Sequence, residues 1–169
     1  MKTLDVLQLI LCYGLDLPQE RVFAYNSDIE LPKDSNVFVV MSFMTKTPYS
    51  NNIEYKGTVE DLTEIQTMNV AEDVLISVMS RNTEAREKAH EVFMAFNNSY
   101  AIFQQEKNKM AISITGEVLD GSFLEETARL NRFDIKCRVL RGYDKTRKID
   151  YYDKFPRTSK FEPEFHYDK

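Results

Sequence analysis

Between Thr58 and Tyr143 the spacing of apolar residues changes twice, from strand-like to helical and back, and this constrains the fold more than any other feature of the chain. From about Asp61 to Ser80, Met68, Val70, Val74, Ile76 and Val78 share one parity, while Thr67, Asn69, Asp73 and Ser77 share the other. That pattern predicts a long strand. A strand of this length overruns a single compact sheet unless it is bent or bulged, and Ala71-Glu72-Asp73 is the expected break. From Asn82 to about Phe96 the period becomes helical, with Asn82 as N-cap, Glu84 in the first turn and Ala85, Ala89, Val92, Phe93 and Phe96 on one face. Past Asn131, Phe133, Ile135, Cys137 and Val139 alternate with Arg132, Asp134, Lys136 and Arg138, which puts one face of a second long strand on a core and leaves the other solvated.

The flanking segments complete an α+β pattern. Thr3 as N-cap, Leu4, Leu7, Ile10 and Leu11 at helical spacing, and Gly14 at the end predict a first helix over about Thr3 to Tyr13. Arg21 to Tyr25 reads as an edge strand, Pro32 to Asn36 as a turn, and Val37 to Met44 as a mid-sheet strand covered on both sides. Lys46 to Gly57, carrying Pro48, Asn51 and Asn52, has the composition of a long exposed loop or hairpin tip. Tyr100 to Asn108 reads as a short helix or irregular connection, Met110 to Ile114 as a strand, and Gly116 to Ser122 as a loop. After Gly142 the pattern fails. The expected architecture is one domain over residues 1–143, a mostly antiparallel sheet with a main amphipathic helix packed on one face and an N-terminal helix. Residues 144–169 form a C-terminal extension or arm, with Lys148 to Tyr152 the piece that adds to the sheet. Within it Phe161, Phe165 and Tyr167 are spaced aromatics of the kind that anchor interfaces.

Composition excludes several classes of function. A chain of 169 residues with 43% hydrophobic residues buries one substantial core. A net charge of −5 argues against holding nucleic acid by phosphate neutralisation, which needs clustered Lys and Arg. Cys12 and Cys137 both read as buried thiols of a reducing compartment, not as a disulfide framework. Asp5 and Gln8 interrupt the N-terminal apolar run, and no stretch approaches the roughly 20 apolar residues that span a bilayer, so a soluble chain is expected. No glycine-rich phosphate loop is present. His90-Glu91 invites comparison with zinc-protease helices, but the residue four after His90 is Met94. His166 reads as a solvated or interface histidine, and Glu60-Asp61-Glu64 and Glu125-Glu126 as solvated acids. The expectation is a protein that is not an enzyme, with no catalytic, metal or cofactor-binding residues and no cofactor.

The order of elements, ending in Asn131-Arg132-Phe133-Asp134-Ile135 at the start of the last strand, resembles the neck or tail terminator proteins of tailed bacteriophages over about residues 34–143. In that family an Arg followed by an aromatic opens the last alternating strand, as Arg132-Phe133 does. The resemblance implies a structural virion protein, a ring, typically a hexamer, at the head-proximal end of the tail. Such a ring ends tail-tube polymerisation and joins the tail to the head connector. Its implied partners are copies of itself, the tail tube, the sheath protein where a tail has one, and the head-tail connector, with DNA passing through the lumen unbound and no membrane involved. Its implied place is the virion neck, and the host cytoplasm during assembly. On this reading Arg132, Asp134, Lys136 and Arg138 lie near a subunit contact, while loop Lys46 to Gly57 and tail residues Phe161, Phe165 and Tyr167 reach neighbouring proteins. Alternatives are a head-closure or tail-completion protein of the same neck, a monomeric peptide-binding adaptor, or a small metal-dependent enzyme.

Overall fold

The computed structural model describes residues 2–25, 31–58, 61–114, 116–125 and 128–149. Helix α1 (Thr3–Gly14) leads through a 3-10 turn into the short strand β1 (Val22–Ala24). Two long strands follow, β2 (Phe38–Thr58) and β3 (Asp61–Ser80), then helices α2 (Glu84–Ala95) and α3 (Ser99–Lys107). The chain closes with β4 (Met110–Ile114), the small strands β5 (Leu119–Asp120) and β6 (Phe123–Glu125), and the long β7 (Ala128–Ile149). The sheet order is β1-β2-β3-β7-β4, with β5 and β6 also on β7. Every pairing is antiparallel except β1 with β2, so the fold is α+β, as the sequence pattern predicts.

One face of the sheet carries all three helices. Val39, Met41, Val74, Ile76, Ile135 and Cys137 meet Leu7, Ile10 and Leu11 of α1, Ala85, Ala89 and Val92 of α2, and Ala101 of α3 in one buried core. Small residues on α2 let it lie close. A Cβ on Gly14 would meet the Ala95 Cβ at 2.3 Å, so the crossing of α1 and α2 depends on the bare backbone there. The N-cap position of α2 falls on Thr83, one residue past the expected Asn82, and its side chain makes no cap; instead the Ala85 amide donates to Ser80 Oγ (3.1 Å) and the Glu84 amide to Asn82 Oδ1 (3.0 Å). Asn98 is a side-chain N-cap of α3, accepting from the Ala101 amide (2.8 Å). On the opposite face, Phe38, Val40, Met79 and Leu130 form a second small cluster against Phe23.

Three expectations need correction. Of the two readings of Lys46 to Gly57, loop or hairpin tip, the loop fails and the segment is the exposed distal part of a β2–β3 hairpin. It is the second half of β2, paired residue by residue with β3 as far as Thr58 and Asp61. Pro48 misleads because it stands beside an irregularity in a strand whose other edge is open, one of the few places where a residue without an N–H fits a sheet. The break foreseen at Ala71-Glu72-Asp73 falls instead on the facing strand. β3 is continuous, and β2 slips register between Phe43 and Thr45 and again between Pro48 and Ser50. Each slip leaves one extra residue, Met44 and Tyr49, and both side chains are exposed. Finally, β7 does not stop near Gly142. It continues to Ile149 opposite Leu62, so residues 144–149 belong to the sheet. The proposed boundary after residue 143 therefore falls inside a strand.

Candidate interaction surface: an uncovered arm and its joint

Beyond the helical layer, β2, β3 and β7 continue together as a three-stranded arm. From Glu72 to Asp61, β3 alone runs about 36 Å at ~3.3 Å per residue. Three strands suffice for the arm to hold its shape, because ladder bonds are complete in the middle strand and cross-strand pairs tie the edges. Thr67 Oγ1 donates to Asp144 (2.8 Å), Arg147 Nε to Glu64 (2.8 Å), Gln66 Nε2 to Asn51 (3.2 Å), and Lys148 pairs with Asp61 at 2.8 Å. Among the described residues no strand pairs with the outer edge of β2 beyond Met41 or of β7 beyond Arg141. The arm surface is correspondingly rich in large exposed side chains: Tyr49 (59%), Ile53 (52%) and Tyr55 (57%). Apolar side chains this accessible on a sheet with open edges are the feature of the molecule that most calls for a partner.

Where arm meets body, two adjacent acids of β3 organise opposite faces. Glu72 lies in phase with Val70, Val74 and Ile76 and is 1% exposed. It accepts hydrogen bonds from Thr3 Oγ1 and from Tyr143 Oη (2.6 Å) and an ion pair from Lys46 (3.1 Å). Thr3 in turn accepts from Arg141 Nη1 (3.0 Å), so α1, β2, β3 and β7 are all joined. Lys46 and Arg141 also lie over the Tyr143 ring, 3.9 and 4.6 Å from its centroid. Burial pushes the Glu72 carboxyl up, but the bonds from Thr3, Tyr143 and Lys46 outweigh it and hold the group below its usual range. Thr3 is thus not the N-cap of α1; Lys2 is, its amide bound to Asp5 (3.0 Å), and the hydroxyl of Thr3 is spent on the joint.

Asp73 faces the other way. It receives Arg138 through Nε (2.8 Å) and Nη2 (3.1 Å), Thr45 Oγ1 at 3.1 Å, and Lys136 at 3.8 Å. The Arg138 guanidinium, with help from Thr45 and Lys136, lowers its pKa to about 2. The charged row of β7 therefore stands on one face, as its alternation predicts, but its members are tied to their own sheet. Arg132 Nε bonds Asp134 (2.8 Å), which also accepts from Ser77 Oγ (2.6 Å), and only Arg138 of the four is classed as exposed. Phe161, Phe165 and Tyr167 lie outside the described residues, as does His166.

The groove above Glu72, between the start of α1 and the root of the arm, has a volume of about 800 Å³. Phe43, Met44, Lys46, Arg141 and Tyr143 contribute to its walls. A second cavity of about 530 Å³ is lined by Arg86, His90, Asp120, Val118 and Phe133 among others. His90 is exposed there, and neighbouring Glu91 is engaged by Lys88 at 2.6 Å. Among the described residues no three His, Cys, Asp or Glu side chains converge as metal ligands. Cys137 is buried, and burial pushes its thiol to about 12, whereas Cys12 is only half-buried, contrary to expectation. No described helix is long and apolar enough to cross a membrane. No protein-family model matches the chain, and no curated protein matches it in sequence.

Proposed function

We propose that this protein is a structural subunit that assembles with copies of itself into a closed ring, as the resemblance to phage neck and tail terminators implies. The ring would sit at the head-proximal end of a tail, end tube growth and present a docking surface to the head connector. The observation that carries this reading is the arm, a long three-stranded extension over which no described helix lies, with Tyr49, Ile53 and Tyr55 exposed. A ring needs heterologous contacts between two different surfaces of one subunit, and an arm displaced from its body supplies two such surfaces. The open edges of β2 and β7 supply backbone donors and acceptors as well. The acidic balance of the chain suits a lumen through which DNA slides without adhering.

Size-exclusion chromatography with light scattering tests the first half: the expected species is a ring of identical subunits, and a stable monomer at assembly concentrations overturns it. Addition of the purified ring to elongating tail tubes tests the second. Tubes should stop growing at one end. Growth unaffected by a bound ring would instead support a head-closure or tail-completion role in the same neck.

A further inference from the structure

The helical layer and the arm each leave an apolar surface open, and both look to the same side of the sheet. On α2 the buried Ala85, Ala89 and Val92 face the strands, which puts Met94 on the outward side with Glu87 and Glu91. Phe103 stands outward on α3 in the same way, beside Glu106. Gly14 lies against Ala95, and the Tyr13 ring stacks on Tyr100 at 4.4 Å. These contacts draw the ends of α1 and α2 and the start of α3 together, so that Tyr13, Met94 and Phe103, each more than half exposed, gather at one end of the layer. The arm shows the same side of the sheet through Phe43, Ile53, Tyr55 and Met68, which share the register parity of Glu72. Its charge there is positive, with Lys46, Arg141, Lys145 and Arg147 against Glu64 and Glu72. The outer side of α2 and α3 is acidic, with Glu87, Glu91 and Glu106 against Lys88 and Lys107. Among the described residues, Lys145 on the arm and Glu87 and Glu106 on the helices make no ion pair. The two surfaces therefore match twice, apolar against apolar and cation against acid.

Surfaces that look the same way cannot meet within one chain. They meet when a second copy is turned over, and the operation that does this is a two-fold axis. We propose that two copies of the chain pair in this way, each laying the Glu72 face of its arm on the outer side of the partner's helices. The helices of both copies then form one middle layer between two sheets. The lengths agree, since the arm runs about 36 Å and the 12-residue helices α1 and α2 about 18 Å. Three strands at about 4.8 Å spacing make the arm about 14 Å wide. Two arms and the helical surfaces under them then bury about 1,000 Å² in total over the length of the helices, and about 2,000 Å² over the whole arm, the range of specific dimers. This pair goes beyond the ring and is separate from ring closure. Tyr49, which lies with Asn69 and Gly142 on the other face, and the outer edges of β2 and β7 stay clear of it.

Light scattering on dilute full-length protein tests the pair. Wild type is expected as a dimer, and a dilute monomer overturns the proposal. Ile53→Glu with Tyr55→Glu puts acids on the arm, and Met94→Lys with Phe103→Lys puts cations on the helices. All four side chains are exposed, so each doubly substituted chain should unfold in urea as wild type does. Each chain alone should dissociate roughly tenfold more readily than wild type. Mixed one to one, the two should pair again, because one contact of the heterodimer is unaltered and the other meets with its charges exchanged. A variant that pairs like wild type on its own, or a mixture that stays monomeric, overturns the proposal. Rings at assembly concentration with no dimer in dilute protein sink the pair alone, whereas dimers that never close into rings sink the ring alone.

Discussion

The same two strands, β3 and β7, run through a region packed under helices and a region over which no described helix lies, and the two halves are held by different forces. In the body, alternate residues of both strands disappear into one core, and burial of side chains such as Ile76 and Ile135 supplies the stability. In the arm the alternation persists in the backbone, but β2 from Phe43 to Gly57 is exposed at every position except Ser50, which is half-buried. What holds the arm is a hydrogen-bond ladder interrupted at the two slips of β2, threonine- and isoleucine-bearing strands and a few cross-strand pairs. A sheet can therefore be extended well past its core when three strands go together. The extension contributes little to stability and is left available for contact.

Substitutions should separate the halves. Ile76→Ala in the body is expected to cost about 3 kcal/mol in urea unfolding, from lost burial plus a cavity. Glu72→Ala at the joint should cost almost as much, about 2–3 kcal/mol, because Lys46, Tyr143 and Thr3 lose their shared acceptor. If Glu72→Ala proves neutral, arm and body are not coupled through that carboxylate. The Asp73 contribution is set by pH. Its folded pKa of about 2 lies below the ordinary value of about 3.9, so its stabilisation is complete above about pH 4 and fades as pH falls toward 2. The stability gap between wild type and Asp73→Asn should accordingly be constant from neutral pH to about 5 and close below about 4. Ile53→Ser or Tyr55→Ser in the arm should change unfolding by less than about 0.5 kcal/mol yet weaken self-association seen by light scattering. An arm substitution that destabilises the fold as strongly as Ile76→Ala would erase the distinction. In native protein, Cys137 should resist thiol reagents until global unfolding, while half-buried Cys12 reacts first.

The body was legible from side-chain periodicity because burial imposes it: α1, the apolar parity of β3, the stripe of α2 and the alternation of β7 all point to the same core. The arm was not, for the same reason. Without a core behind it, Lys46 to Gly57 has no apolar period to read, and Pro48 with Asn51-Asn52 mimics loop composition. The end of β7 was lost likewise, since Asp144 to Lys148 alternate nothing with anything buried. Glu72 is hard to read in the sequence because a charge in phase with Val70 and Val74 looks like an interruption. Its position in that phase is the one signal of a buried acceptor that the sequence carries. The alternation of β7 gives the face of its charged row, but the partners Asp73 and Ser77 lie on another strand, and pairing across strands is not written in local sequence.

Two consecutive carboxylates clamp both surfaces of the sheet at one level, Glu72 gathering Thr3, Lys46 and Tyr143 while Asp73 gathers Arg138 and Thr45. Tilting the strands toward either side must pull one of these two knots apart. The joint consequently resists hinging in both directions, and a load applied at the far tip is delivered as leverage to the first turn of α1 through the Thr3 hydroxyl.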